Sequence, residues 1–326
     1  MAERAILSTA PLRGPGLDAL RALGEVVLDP WIDHRPLRLL SAEQLAKRAA
    51  EVGATVVICE ADECAGPVLE LPLEAIGATR GDPTNVDVAG ATAAGIPVLR
   101  APGRNADGVA ELTVGLLLAA TRGLVAADRD VREGEVYRDG TIPYQRFRAW
   151  QLQGRTAGLV GLGAVGRATR WRLEGLGMRV IASDPFATDA THDLDDLVAE
   201  ADVVSMHAAV TPETVGLISA ERFAAMKAGA VYVNAARAAL HDLDALTAAL
   251  ASGHLAAAGL DHFEGEALAT DHPLVALPNV VLTPHIGGAT YDTEVNHTKL
   301  IADGLAALLA GEVPDNCVNP EVLRRG

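Results

Sequence analysis

Short β-branched runs alternate with helical patterns along the whole 326-residue chain. That alternation limits the fold to βαβ units on parallel sheet, an α/β class. It falls into two sets. The first has strand candidates at 5–9, 26–29, 55–59, 73–78 and 98–101, with a helix over 41–52 opened by a capping box of Ser41 and Gln44. The second has candidates at 156–160, 179–183, 202–206, 230–234, 257–260 and 280–282. Six parallel strands with intervening helices make a full dinucleotide-binding fold.

Between the sets, Ala101-Pro102-Gly103-Arg104-Asn105 reads as a break, because Pro and Gly stop a strand and Asn can cap the helix that follows. That helix places Val109, Leu112, Leu116, Leu117 and Ala120 on one face. The face either packs within the chain or meets a second copy. A long helix over 291–310, stopped by Gly311 and Pro314, is expected to return the chain to the first domain. The expected organisation is a discontinuous domain of 1–103 with 286–326, and a second of 104–285.

A formal net charge of −16 argues against polyanionic partners, so nucleic acid and acidic membrane surfaces are not expected, and a small molecule is. The three cysteines, Cys59, Cys64 and Cys317, have neither disulfide-framework nor zinc-ligand spacing. No metal is expected, and a reducing, cytoplasmic compartment is. Met1-Ala2-Glu3-Arg4 leads into a strand without a long apolar run, so no signal peptide is expected.

Gly161-Leu162-Gly163-Ala164-Val165-Gly166 follows a strand candidate and opens a helical run over 164–176. The pattern alone is weak, but in this context the free N–H groups and positive dipole end of the helix would face a pyrophosphate. Gly161 permits the turn, Gly163 lets phosphate approach the backbone, and Gly166 allows close helix-strand packing. Asp184 ends the next strand, about twenty residues on, where an acidic residue accepts the ribose hydroxyls. It reads otherwise as a turn residue before Pro185. Asp184 would repel a 2′-phosphate, and residues 187–190 hold no Arg or Lys, which predicts NAD over NADP.

Ligands of an open parallel sheet bind beyond the carboxyl ends of its strands. Arg237, Glu266 and His285 all lie just past such ends. Hydride chemistry on a 2-hydroxy acid needs a cation for the carboxylate and carbonyl and a group that exchanges the hydroxyl proton. Arg237 and His285 would supply these, and Glu266 near His285 would favour the imidazolium and raise its pKa. Singly, Arg237 reads equally as a surface charge, Glu266 as a solvated loop residue and His285 as a capping or core histidine.

Several segments carry a resemblance. They are Asp261-His262-Phe263-Glu264-Gly265-Glu266, His272-Pro273-Leu274 and Leu277-Pro278-Asn279-Val280, with Thr283-Pro284-His285-Ile286-Gly287-Gly288-Ala289-Thr290. Asn85-Val86-Asp87, Gly95-Ile96-Pro97-Val98, Val109-Ala110-Glu111-Leu112 and His207 with Thr211-Pro212-Glu213-Thr214 agree. Over nearly its whole length the chain resembles the D-isomer-specific 2-hydroxyacid dehydrogenases, phosphoglycerate dehydrogenase branch.

The resemblance implies two Rossmann-like domains with parallel sheets and an active site in the cleft between them, 1–103 with 286–326 binding substrate and 104–285 binding NAD. It implies Arg237, Glu266 and His285 as the catalytic set acting on a D-2-hydroxy or 2-oxo acid. Leu162, Ala164 and Val165 of the loop, His207, Thr211, Ala235, Asp261, His285 and Gly287 are implied on the cofactor side. Asp261 would contact the nicotinamide carboxamide, and His207 is read as cofactor-side or structural. Gly81 would approach the substrate carboxylate, and Arg80 either pairs with a distal anionic group such as phosphate or is a solvated loop arginine.

The chain departs from the family pattern with Ala238 after Arg237, Ala267 after Glu266, and His262 in place of an aliphatic residue. Glyoxylate or hydroxypyruvate reduction and an NAD(H)-sensing binding role are the alternatives. Glu266, where formate dehydrogenases of this fold carry Gln, argues against formate. A homodimer is implied. The sequence ends soon after Asn319-Pro320, so no regulatory domain of the kind attached to many phosphoglycerate dehydrogenases is expected.

Overall fold

A computed structural model describes residues 4–324, without the side chain of Arg324, so the start on which the signal-peptide reading rests lies outside the described residues. The chain divides into two compact units. One runs to Arg104 and resumes at Thr290, and the other is Asn105–Ala289.

The first unit holds β1 (Ala5–Ser8), β2 (Glu25–Leu28), β3 (Val56–Cys59), β4 (Ala75–Ala78) and β5 (Val98–Leu99) in the order β2-β1-β3-β4-β5. All pairings are parallel. β3 and β4 are buried along their length, which explains their apolar, non-alternating sequence. The expected capping box of Ser41 and Gln44 is present on the helix Ala42–Glu51. β5 stops at Leu99, two residues earlier than the sequence pattern. The Arg100 backbone turns away to pair with Asn316, and Ala101 N donates to the Arg80 carbonyl. The helix Tyr291–Leu309 covers this sheet by burying Ile301, Ala302 and Leu305 with Ile6, Leu20, Ile58 and Leu99.

The second unit holds β6 (Thr156–Val160), β7 (Arg179–Ser183), β8 (Val203–Met206), β9 (Ala230–Asn234), β10 (Leu255–Leu260) and β11 (Val280–Leu282). Their order is β11-β10-β9-β8-β6-β7, again all parallel. β10 begins two residues before its expected start, because Leu255 pairs with Ala230 and a register shift separates it from Ala257. Helix Ala106–Arg122 packs Val109, Leu116 and Leu117 into the core of this unit, so its apolar face is used within the chain. Asn105 stands at its N-terminus without a side-chain capping bond, contrary to expectation. No single helix among the described residues is long and apolar enough to cross a membrane.

Candidate active site

Parallel register puts the residues that follow β6, β7, β8, β9, β10 and β11 along one edge of the second sheet. After β6, Gly161 adopts a φ of +102° that side chains rarely take. A Cβ there would also lie 2.6 Å from the Ala208 amide nitrogen. A Cβ on Gly166 would fall on the Gly161 carbonyl oxygen, so the third glycine is needed for the loop to close on its helix. Gly163 caps the helix Ala164–Gly175 and has open space on its Cβ side. Leu162 is buried, Val165 half-buried and Ala164 exposed at the first helical position.

This cradle fits a dinucleotide pyrophosphate, because the helix begins at Gly163, where nothing lies within 4 Å of the position a side chain would take. Asp184 ties the loop to β7, its Oδ2 accepting from the Leu162 amide at 2.7 Å and its Oδ1 from the Phe186 amide at 2.8 Å. It therefore also organises the backbone, while each oxygen keeps a further lone pair for a hydroxyl. After β8, His207 lies against Gly161, its Nε2 pairs with Ser205 Oγ at 2.9 Å, and its buried Nδ1 has no partner. Burial pushes the His207 pKa down to about 4, so the ring is neutral at physiological pH. Thr211 lies in an exposed turn, where its amide donates to Thr214 Oγ1 at 2.7 Å, and Ala235 is buried just past β9.

The catalytic candidates come from three successive loops. After β9, buried Asn234 folds the turn, accepting from the Ala236 amide and donating to the Arg237 carbonyl and His241 Nδ1. Arg237 is exposed, its Nη1 donating to the Ala236 carbonyl at 2.6 Å and to His262 Nε2 at 3.3 Å. Glu266, after β10, and His285, after β11, meet with His285 Nδ1 2.9 Å from Glu266 Oε2. Three non-glycine residues among those described have positive φ, and two are this pair, Glu266 at 59° and His285 at 55°. Such backbone persists only where its surroundings enforce it and gathers at functional sites.

Asp261 supplies much of that enforcement. Buried to 1% exposure, it accepts from the Ile286 amide at 2.9 Å, the Gly287 amide at 2.8 Å and Thr283 Oγ1 at 2.6 Å. Thr283 and Asn234 support these loops without having been singled out as site residues, because neither is a reactive residue type and each acts through hydrogen bonds to the turn beside it. His262 is buried between the other groups, with its ring centroid 3.5 Å from that of His285. Burial, then the neighbouring His285 and Arg237, lower its pKa to about 4. His262, Glu266 and His285 bring donor atoms within 4.8 Å of one another, a spacing that can hold a cation, but the Arg237 guanidinium against His262 Nε2 opposes one.

Arg80 and Gly81 belong to the first unit, just past β4. The Arg80 carbonyl accepts from Ala101 N, and the Gly81 carbonyl from Arg100 Nη1 at 3.4 Å. Residues 187–190 hold no Arg or Lys, as read from the sequence, and the helix after the glycine loop brings Arg167 and Arg170 to Asp189, a helix-to-loop contact that strand-end spacing does not reveal.

A parallel sheet with this loop over its first strand is the architecture of a dinucleotide-dependent oxidoreductase. The family model for the D-isomer specific 2-hydroxyacid dehydrogenase NAD binding domain matches residues 114–287. A glyoxylate reductase of Thermofilum pendens is 36% identical, across 99% of this chain and 97% of that protein. A D-3-phosphoglycerate dehydrogenase of Mycobacterium bovis is 39% identical over 91% of this chain, which spans only 56% of that relative's length. The crystal structure of the TT0316 protein from Thermus thermophilus superimposes with a TM-score of 0.80 at 37% identity, covering 96% of this chain and 99% of that one. The chain belongs to the D-isomer-specific 2-hydroxyacid dehydrogenases and is an NAD-dependent oxidoreductase.

Proposed function

We propose that the chain interconverts a D-2-hydroxy acid and its 2-oxo acid, with Arg237, Glu266 and His285 as the catalytic set. The observation that carries this is the His285 Nδ1 to Glu266 Oε2 bond of 2.9 Å between two residues held at positive φ. Bound NAD supplies the hydride acceptor and NADH the donor. Arg237 binds the substrate carboxylate and carbonyl oxygen, a role suited to its forked donors. Glu266 engages Nδ1 of His285 and leaves Nε2 to give or take the proton of the substrate oxygen. Gly161 to Gly166 hold the pyrophosphate through backbone amides, and Asp184 the adenosine ribose. His207, Thr211, Ala235, Asp261 and Gly287 line the cofactor side, and Arg80 and Gly81 contact the substrate.

The substrate reading is phosphoglycerate dehydrogenase-like, with Arg80 as the cation for a distal phosphate. Glyoxylate or hydroxypyruvate reduction is the second reading, favoured by the near full-length match in both directions to the Thermofilum protein. We place the enzyme in the cytoplasm, in keeping with its three unpaired, buried cysteines. We read it as a homodimer, in keeping with the exposed Leu124, Val125, Val131, Tyr137, Tyr144 and Trp150.

The test is NADH consumption with a panel of phosphorylated and unphosphorylated 2-oxo acids, in the wild type and in His285→Ala. The expected loss in kcat/KM is about 10³-fold. Tight NADH binding without turnover of any acid would favour a sensor, and undiminished turnover in the variant would remove His285 from its role.

A further inference from the structure

The loop after β7 carries a second carboxylate beyond Asp184. Asp189 takes both arms of the Arg167 guanidinium, with Nη1 2.7 Å from Oδ2 and Nη2 2.8 Å from Oδ1. Arg170 adds its Nη1 at 3.2 Å from the same Oδ2. Arg167 sits one turn into the helix that the glycine loop opens, and its hydrogen bond to Asp189, then the charge of that carboxylate, raise its pKa. Two guanidiniums therefore meet at Asp189, in the loop that follows β7 and Asp184. There a dinucleotide fold reads the adenosine ribose, and a nearby arginine is what accommodates a 2′-phosphate. Asp184 alone is a poor barrier to that phosphate with two such cations at hand.

We propose that Asp189 determines cofactor selectivity, engaging Arg167 and Arg170 so that neither guanidinium is free for a 2′-phosphate. The Nη1/Nη2 edge of a guanidinium recognises an oxyanion bidentately, and here the Asp189 carboxylate occupies that edge of Arg167. The pair is solvent-exposed, with side-chain exposures of 52% for Arg167 and 41% for Asp189. It therefore adds little to stability, and its geometry is free to serve selectivity. Neither partner is part of the glycine pattern, and Arg167 and Asp189 lie 22 residues apart in sequence.

The inference rests on the assignment of NAD to the loop Gly161–Gly166, and the experiment separates the two. Dissociation constants for NADH and NADPH are measured by cofactor fluorescence on the full chain. The proteins are the wild type, Asp189→Asn, Asp189→Ser, and Asp189→Asn combined with Arg167→Ala and Arg170→Ala. The ratio Kd(NADPH)/Kd(NADH) is expected to fall about tenfold in both single variants, as the freed Arg167, with Arg170 still held by Glu174 beside it, gains charge-assisted bonds to phosphate. Adding the two alanines is expected to abolish the gain. An unchanged ratio in the single variants overturns the proposal. So does a fall that survives removal of both arginines, because Asp189 would then act by its own charge alone. A wild type that binds NADH no better than Gly166→Val does would instead overturn the placement of the cofactor.

Discussion

The loop after β6 and the loops after β9, β10 and β11 share one edge of one sheet, yet they are built from different materials. The β6 loop is contiguous and made largely of backbone, with three glycines that leave room for a ligand and for one another. The loops proposed to be catalytic contribute one reactive side chain each from positions 237, 266 and 285, and buried polar residues hold them in register. Asn234 shapes the first, while Asp261 pins the third through two amides and a hydroxyl. The contrast shows that the binding of a cofactor common to many enzymes can rest on backbone geometry, whereas acid-base chemistry needs side chains converging from distant segments.

The largest expected effect strikes the backbone-built site. Gly166→Val places a branched side chain where even a Cβ would overlap the Gly161 carbonyl. NADH binding should weaken about a hundredfold by fluorescence titration, with a lowered Tm. Wild-type affinity would mean that the loop does not hold the dinucleotide, and the contrast would collapse.

Asp261→Asn attacks the other construction at its support. One carboxylate oxygen that accepts from backbone becomes an amide donor facing backbone donors, costing about 2 kcal/mol. Because Asp261 organises the turn that carries His285, kcat/KM should drop about thirtyfold, measured beside a thermal melt. A drop in Tm with unchanged kcat/KM would show that the turn keeps its shape without this anchor.

A smaller effect concerns pH. His207, His241 and His262 have folded-state pKa values lowered to about 4, all by burial first. Between about pH 6.5, the unfolded histidine value, and pH 4 the unfolded chain binds more protons than the folded one. Stability should therefore rise with pH across that window and be lost on acidification, by at most about 1.4 kcal/mol per pH unit for each ring. His262→Leu should make the Tm-against-pH curve shallower below pH 6.5 while raising KM for the oxo acid, since Arg237 loses its acceptor. An identical slope would mean that the ring is charged in the folded state.

Much of the fold was legible. β6, β7, β9 and β11 coincide with their sequence patterns: β6 and β9 are buried throughout and read as apolar runs, and turn residues mark the ends of the partly exposed β7 and β11. The misplaced ends have identifiable causes. β5 yields Arg100 to Asn316, more than two hundred positions away, and Ala101 to the Arg80 carbonyl, and β10 gains Leu255 through a register shift. The helix over Ala106–Arg122 left two readings open in sequence, and its buried Val109, Leu116 and Leu117 decide for packing within the chain.

The α/β class, the glycine cradle and the three reactive residue types at strand ends could all be read from the order of residues, because each depends on spacing within one segment. What lies between segments could not. Folding engages Asp261 with the turn before and around Gly287, inserts His262 against Arg237 and His285, and sets Asp189 in the fork of Arg167. Hydrogen bonds and ion pairs form between atoms that folding brings within about 3 Å, and sequence separation carries no record of that distance.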